Sequence, residues 1–267
     1  MTNPALSIPT PNGRFYAHPR RAGSKPGSPS ANPSITNIIG KKDKKAIPYW
    51  AARQCGEFAA DNLTTLNTLT RDGVIDLVRT SPWRTSDTAA KVGSIVHDAI
   101  DQWIKADCRW VPDMTTWPPS AKQMWRQWQG LVQKYKPEFI ASEFTVWSDK
   151  HGYAGTGDWA ARIGGALVLA DTKTGKKAYP EVGMQLAAIA NADFILADDG
   201  TETPIPKYER FAVAHVRPRS ASLIPVERID QCFETFLGLK TVFDFDVNTA
   251  EHVLKWAPKI ETKSEAA

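Results

Sequence analysis

The sequence predicts an α/β (α+β) protein, in which helices flank a central mixed β-sheet and the N-terminal portion is helical. Two observations support this class. Apolar residues recur at helical spacing up to residue 137, and strand-like segments follow from residue 138. Three such strands are followed by a helix, a pair of strands and terminal helices, an order that favours a mixed sheet over a regular parallel barrel.

The first 33 residues are rich in Pro, Gly, Ser and Asn, with basic residues between them. Such a segment cannot bury enough apolar surface to offset the entropy lost on ordering. We therefore predict a disordered basic tail at residues 1–33. We expect residues 34–260 to form a single domain, with a mainly helical part at 34–137, a sheet core at 138–226 and C-terminal helices at 227–260.

The chain has 267 residues and a net charge of +4, which is compatible with a polyanionic partner without requiring one. Its three cysteines are far apart, include no CxxC motif and cannot supply a four-cysteine cluster. No apolar run is long enough to cross a membrane, and the polar N-terminus lacks the apolar segment of a secretory signal. These features predict a protein of the reducing cytoplasm with no membrane partner.

The helical part is expected to begin with a short strand or turn at residues 34–39. A helix then starts near Pro48, since proline is tolerated in the first turn. We predict breaks in this part at residues 72–73 (Asp-Gly) and 81–82 (Ser-Pro). A lysine run before the helix is either a solvated loop or a surface that neutralises phosphates. The run comprises Lys41, Lys42, Lys44 and Lys45.

A further helix is predicted from about residue 88 to residue 106, and His97 falls at the edge of its apolar stripe. An edge position suits a residue that lines a pocket. The alternative is a histidine at the boundary of the core with its hydrogen bonds satisfied. The helix that ends at Pro137 carries Trp125 and Trp128 at helical spacing, and we interpret this stripe as core rather than as a surface for base stacking.

Two strand-like segments joined by Gly164 and Gly165 predict a tight β-hairpin. Counting outward from the turn pairs residue 163 with 166 and residue 162 with 167, and it places Asp158 opposite Asp171 on the same face. Like charges so placed repel each other by roughly 3 kcal/mol at about 5 Å. A protein that keeps such a pair usually holds a cation or a shared proton between the two carboxylates.

Lys173 lies two residues beyond Asp171, so strand periodicity places both side chains on one face. Two hard oxygen ligands beside a lysine suit Mg²⁺ or Mn²⁺ and a phosphate. The alternative is a surface hairpin in which Asp158 is solvated and Lys173 pairs with Asp171. Glu143 lies on the preceding strand, whose register the sequence leaves open.

Beyond the hairpin, a basic loop carries Lys176 and Lys177. A helix is predicted over residues 181–196, with small residues on one face and Gln185 beside that face. The remaining predicted elements are strands at 208–215 and 222–226 and helices at 227–244 and 249–256.

The motifs, in this order, resemble those of the PD-(D/E)XK nuclease superfamily. The closest likeness is to the RecB-type branch, which includes phage recombination exonucleases and CRISPR-associated relatives. The matching segments are the lead-in at 34–36 and 47–52, the histidine motif at 93–97, the strand with Glu143, the Gly-x-x-Asp element at 155–158, the (D/E)xK element at 171–173, and the QxxxY helix that Gln185 opens. Ile189 stands where that helix would carry tyrosine.

The resemblance implies a restriction-endonuclease-like core that binds Mg²⁺ or Mn²⁺. It assigns metal ligation to His97, Asp158, Asp171 and the backbone carbonyl of Thr172. The cysteines that bind an iron–sulfur cluster in some relatives are absent, so we expect no cluster.

The resemblance also implies roles in catalysis. Glu143 would assist a metal-bound water or a second ion, and Lys173 would position the attacking water and stabilise charge on the phosphorane. Gln185 would orient the DNA strand or the lysine. Lys41, Lys42, Lys44, Lys45, Lys176 and Lys177 are the expected DNA contacts.

The activity implied is hydrolysis of phosphodiester bonds from DNA ends, expected to be double-stranded, in phage recombination or repair. Two alternatives remain: a structure- or site-specific DNA endonuclease on the same core, and a catalytically silent DNA-binding module. The intact Asp-Asp-Lys set argues against the silent module. By analogy with relatives, a single-strand annealing protein and a homotrimeric assembly are the expected partners.

Overall fold

The computed structural model describes residues 6–11, 13–21 and 31–253. The strands in these ranges are β1 (Ser7–Thr10), β2 (Gly13–Ala17), β3 (Ala31–Pro33), β4 (Glu138–Ser148), β5 (Tyr153–Ile163), β6 (Ala166–Lys173), β7 (Phe194–Leu196), β8 (Glu202–Pro204), β9 (Arg210–Arg217) and β10 (Ser220–Pro225). The helices are α1 (Ile35–Ile39), α2 (Ala46–Asp61), α3 (Leu63–Leu66), α4 (Arg71–Lys105), α5 (Pro119–Tyr135), α6 (Glu181–Ala190), α7 (Ile229–Asp244) and α8 (Ala250–Val253), with a π-helical turn at Phe245–Thr249.

Seven strands form the central sheet, in the order β10-β9-β6-β5-β4-β7-β8. Neighbouring strands are antiparallel except β6 and β9, which are parallel. The chain between these two strands passes through α6, β7 and β8, and a connection of this length allows parallel pairing. The predicted fold class, a mixed sheet flanked by helices, is therefore confirmed.

The hairpin of β5 and β6 has the register predicted from its turn. Ile163 pairs with Ala166, and the pairing continues outward to Trp159 and Ala170. Gly164 and Gly165 both have positive φ, +58° and +85°, as the tight turns that match strand twist require. Asp158 and Asp171 are the next residues in this register, just beyond the last paired position.

The two faces of the sheet are covered by different helices. α1, α6 and α7 pack together on one face, where the fully buried side chains include Leu186 and Phe236. α5 and the C-terminal half of α4 cover the other face, where Trp125, Trp128 and Trp159 form an aromatic core. The tryptophan stripe of α5 is thus buried, as interpreted from the sequence.

The prediction of a disordered tail at residues 1–33 is wrong for the part that the structure describes. β1, β2 and β3 form a small antiparallel sheet with β2 in the centre. The ordering has a packing cause, because Phe15 and Tyr16 are buried and the Tyr16 hydroxyl shares a 2.8 Å hydrogen bond with Thr156 of β5. Composition alone hides this short apolar pair. Residues 22–30, the most Gly- and Ser-rich stretch, lie outside the described residues.

The helical part also differs from the prediction. α1 replaces the expected strand or turn, and its cap is the Ser34 hydroxyl, which accepts from the backbone N–H of Asn37 at 3.1 Å. α4 runs unbroken through Gly73 and Pro82. Proline 82 cannot donate to the carbonyl of Val78, and two other groups satisfy that carbonyl: the Ser81 hydroxyl at 2.8 Å and the Cys55 thiol at 3.3 Å.

The short strands β7 and β8 extend the sheet beyond β4, and the prediction of a helix over residues 181–196 is wrong for residues 194–196, which form β7. α6 ends at Ala190, and the chain then turns so that the Asp193 N–H donates to the Trp147 carbonyl of β4 at 2.9 Å. The helix predicted at 249–256 is described only as far as Val253, and residues 254–260 lie outside the described residues. Among the described helices, none combines the length and apolar character needed to cross a membrane.

Close packing at Gly155 of β5 fixes the position of α1. A Cβ atom at this residue would lie 2.4 Å from Cδ1 of Ile35, which is itself buried. We expect Gly155→Ala to lower the free energy of unfolding by about 1–3 kcal/mol, since an overpacked core must shift. Gly130→Ala in α5, where a Cβ meets no atom within 4 Å, should raise it by about 0.5–1 kcal/mol. Urea unfolding of both variants checks the pair, and equal effects would contradict this account.

Candidate metal-binding and catalytic site

An open cleft of about 1050 Å³ lies beside the central strands β4 and β5. Its lining includes residues from well-separated parts of the chain, among them Arg14 of β2, His97 of α4, Asp158 of β5, Lys176 in the loop after β6 and Arg217 at the end of β9. The cleft therefore joins acidic residues on the sheet to basic residues around its rim.

Three side chains in this cleft form a potential metal-binding group. His97, Glu143 and Asp158 each offer one ligand atom, and these atoms lie within 4.8 Å of one another. Nδ1 of His97 is 3.5 Å from Oδ2 of Asp158. Ligand atoms around an octahedral divalent cation are about 3 to 4 Å apart when each bond is about 2.1 Å. Small side-chain movements would therefore let all three residues bind one ion.

Glu143 owes its place to an irregular point in β4. Ser142 pairs with Trp159 and Phe144 with Gly157, which leaves Glu143 opposite Asp158. Glu143 has φ of +46°, a left-handed conformation that is uncommon for residues other than glycine and costs about 1–3 kcal/mol. The structure thus holds two carboxylates face to face at the expense of regular strand geometry.

The proton affinity of Glu143 reflects this crowding. Burial, followed by the negative charge on Asp158, raises the pKa of Glu143 to about 8. Asp101, one turn of α4 beyond His97, and Asp98, the residue after His97, add to the rise, while Lys105 opposes it. A divalent cation would relieve the same repulsion and favour the ionised carboxylates.

A second cluster lies beneath the cleft, at the end of β6. Nζ of Lys173 is 2.7 Å from Oδ2 of Asp171 and donates to Oε1 of Gln185 at 3.3 Å. Asp171 is only 1% exposed. Burial and the charge on Asp158 raise the pKa of Asp171, and the Lys173 ammonium offsets part of that rise. Burial works against the Lys173 ammonium, but the charges on Asp171 and Asp158 outweigh it and hold the pKa of Lys173 above its usual value.

The two aspartates of the hairpin therefore have different partners. Asp158 joins His97 and Glu143, and its Oδ2 also accepts the backbone N–H of Thr172 at 2.7 Å. Asp171 pairs with Lys173 and is not among the three grouped residues. Of the ligand set implied by the resemblance, the structure brings His97 and Asp158 together and adds Glu143.

Thr172 is buried, and its hydroxyl accepts from the indole N–H of Trp159 at 3.0 Å. This bond ties β6 to β5 at the level of the site. The side chain of Thr172 thus has a structural role, while the resemblance concerned only its carbonyl.

The six lysines expected to contact DNA are in different surroundings. Lys176 lines the cleft, whereas Lys41 pairs with Asp246 at 2.7 Å and Lys42 with Glu181 at 2.8 Å. Three further lysines are exposed and do not line the cleft: Lys44, Lys45 and Lys177.

Sequence reasoning missed three basic residues of the cleft. Arg14 fell in the segment predicted to be disordered, although Phe15 and Tyr16 beside it were an available strand signal. Arg84 falls between the predicted break at residues 81–82 and the helix predicted from residue 88, and Arg217 falls between the strands predicted at 208–215 and 222–226. All three line the cleft.

No protein-family model matches the chain, and no curated protein sequence matches it either. The likeness to PD-(D/E)XK nucleases therefore depends on the ordered motifs quoted above.

The raised pKa of Glu143 predicts how stability depends on pH. Its folded-state pKa lies above the ordinary value of 4.5, so the folded protein binds this proton more tightly than the unfolded chain does. Stability contributed by this group is present below about pH 4.5 and is lost as the pH rises through about 8. Glu143→Gln removes the titration and should stabilise the protein relative to wild type increasingly as the pH rises.

Thermal unfolding in EDTA between about pH 5 and pH 8 measures this difference. Glu138→Gln is the matched control, because Glu138 is an exposed glutamate at the start of the same strand. A Glu143→Gln effect that does not change with pH would contradict the assigned proton.

Proposed function

We propose that this protein is a metal-dependent DNA exonuclease that hydrolyses phosphodiester bonds from DNA ends. The observation that carries the proposal is the grouping of His97, Glu143 and Asp158 in one cleft. The Lys173 ammonium lies on β6, the strand that pairs with the strand of Asp158. A metal site, a cation held in place and basic residues in the same cleft together suit phosphodiester hydrolysis.

In this proposal, His97, Glu143 and Asp158 hold Mg²⁺ or Mn²⁺. A bound cation would also attract Asp171, whose carboxylate already responds to the charge on Asp158. When bound, the cation would act as a Lewis acid toward the scissile phosphate and favour ionisation of water. Two carboxylates and an imidazole are suitable ligands for Mn²⁺ in particular, and the carboxylates suit Mg²⁺.

Lys173 supplies a fixed positive charge to the reaction. Asp171 keeps this ammonium protonated and fixes its direction, while Gln185 holds it from the side of α6. A cation that is already in place needs no reorganisation when negative charge builds up on the phosphorane. Lys173 is therefore the residue that we assign to transition-state stabilisation and to positioning the attacking water.

The basic rim favours DNA as the substrate. Arg14, Arg84, Lys176 and Arg217 come from four separate parts of the chain and line the same cleft as the acidic group. Cations spread along a cleft attract a phosphate backbone and bind it in a salt-dependent way. They would hold the strand while its scissile phosphate lies over the carboxylates.

Loss of the Lys173–Asp171 pair tests the proposal directly. We expect Lys173→Ala and Asp171→Ala each to reduce Mg²⁺-dependent degradation of linear duplex DNA by at least about 100-fold, since each removes preorganised charge. Lys134→Ala, at an exposed lysine of α5, is the control and should keep full activity. Tm measurements confirm that each variant is folded.

Digestion by either variant at the wild-type rate would refute the assignment. Covalently closed circular DNA separates the exonuclease from an endonuclease on the same core, because an exonuclease spares the circle. A duplex labelled at one 5′ or one 3′ end gives the direction of degradation.

The basic rim predicts a measurable salt dependence. Each phosphate contact that is lost should reduce the slope of log K against log salt by about 0.9 for duplex DNA. We expect Arg217→Ala to show this change, measured as equilibrium binding in EDTA between about 50 and 200 mM salt. Arg126→Ala, an exposed arginine of α5 that does not line the cleft, should leave the slope unchanged. Equal slopes for wild type and Arg217→Ala would remove Arg217 from the interface.

A further inference from the structure

Two tryptophans meet on the surface where α2 packs against α4. Trp50 and Trp83 contact each other edge to face, with ring centroids 6.3 Å apart. They nevertheless remain 39% and 53% exposed, and the neighbouring Tyr49 is 79% exposed. No residue of α2 is fully buried. Two tryptophans in contact and the tyrosine next to one of them in the chain are thus accessible on this surface, which we call the aromatic platform (Tyr49, Trp50 and Trp83).

The aromatic platform adjoins the cleft through Arg84. This arginine follows Trp83 in α4 and lines the cleft, and its guanidinium lies over the ring of Phe58 from α2, 5.2 Å from the ring centroid. It also donates to the carbonyl of Leu77 at 2.6 Å. The cation at the rim of the cleft is therefore held by the same two helices that carry the platform.

The segment before α2 contacts α6, a second helix that borders the cleft. Lys42, just before α2, pairs with Glu181 at the start of α6, and Gln185 one turn further along α6 lines the cleft. The charge of Lys44 also reaches Glu181 and helps to lower its pKa, after the larger effect of Lys42. The stretch from Lys42 to Trp50 thus connects the two helices that border the cleft.

The charges around the aromatic platform favour a polyanionic occupant. Lys44 and Lys45 are exposed just before the platform along the chain, and Arg84 lies beside Trp83. Accessible aromatic faces next to cations are the features with which proteins bind unpaired nucleic-acid strands, because any base can stack on a ring while its phosphate meets a positive charge.

We propose that the aromatic platform stacks unpaired bases of a single DNA strand whose backbone continues into the cleft. The inference deepens the proposed nuclease function and rests on it, because that function is the reason to place the rest of the strand in the cleft. It assigns to this surface the unpaired part of a frayed DNA end, and the binding of bases rather than of phosphates.

The position of the platform on α4 sets a length for this contact. Trp83 precedes His97 by 14 residues, which corresponds to about 21 Å along a helix. This equals the rise of roughly six stacked nucleotides at about 3.4 Å each. The platform would therefore hold bases several nucleotides away from the scissile phosphate, where stacking can anchor the strand without obstructing the reaction.

Base stacking can be separated from phosphate binding with two oligonucleotides of equal charge. Fluorescence anisotropy in EDTA would compare a labelled dT12 strand with an abasic strand of the same length. We expect the wild-type protein to prefer dT12. The variant Trp50→Leu/Trp83→Leu should bind dT12 at least about 10-fold more weakly and the abasic strand almost as before. The variant Trp50→Phe/Trp83→Phe keeps a ring at each position and should retain most of the preference.

Leu63→Ala, at an apolar residue of α3 that is 61% exposed, is the control for loss of surface area. Equal binding of the two strands by wild type, or an equal loss on both strands in the leucine variant, would overturn the proposal. The proposal would also be overturned if sedimentation showed a dimer for the wild type and a monomer for the leucine variant, while both proteins bound dT12 equally. A retained preference for dT12 in a protein with no Mg²⁺-dependent degradation would reject the nuclease function and support the platform.

Discussion

The site depends on the repulsion between two carboxylates that the sheet places opposite each other. Glu143 and Asp158 share one cleft with His97, and their ligand atoms lie within 4.8 Å. At that separation, two full charges repel each other by roughly 3 kcal/mol if the effective dielectric constant is about 20. The left-handed backbone of Glu143 adds a further cost. A fold that maintains both features needs a proton or a cation to offset them.

The surrounding structure fixes each of these side chains from a different direction. The Gly164–Gly165 turn sets the register that places Asp158 just beyond the last pair between β5 and β6, and the Thr172 N–H donates to its carboxylate. The unbroken α4 carries His97 over the sheet. Where α4 passes through Pro82, the Ser81 hydroxyl and the Cys55 thiol donate to the Val78 carbonyl, which the proline leaves without a backbone donor. The left-handed backbone of Glu143 in β4 and the proline within α4 therefore both belong to elements that place side chains in this site.

Much of the site could be predicted because it lies in locally determined structure. The hairpin register follows from a two-residue turn, and Lys173 follows from strand alternation. The position of Glu143 could not be predicted, because Glu143 itself has a left-handed backbone within β4 and no sequence pattern indicates that conformation. The ordered N-terminal strands were missed for a different reason: average composition masks a short apolar pair that a distant strand buries. The folded structure was also needed to identify the partner of Asp171, since the predicted hairpin places Asp171 near both the metal-binding group and Lys173.

The central claim is that His97, Glu143 and Asp158 together bind a divalent cation. Calorimetric titration of Mn²⁺ into the wild-type protein and Asp158→Asn, in two buffers of different ionisation enthalpy, measures both affinity and proton release. The account predicts wild-type binding that releases a proton to the buffer, because ligand carboxyls must ionise, and affinity at least about 10-fold weaker in Asp158→Asn. Equal affinity in the two proteins, or no binding by the wild type, would contradict it.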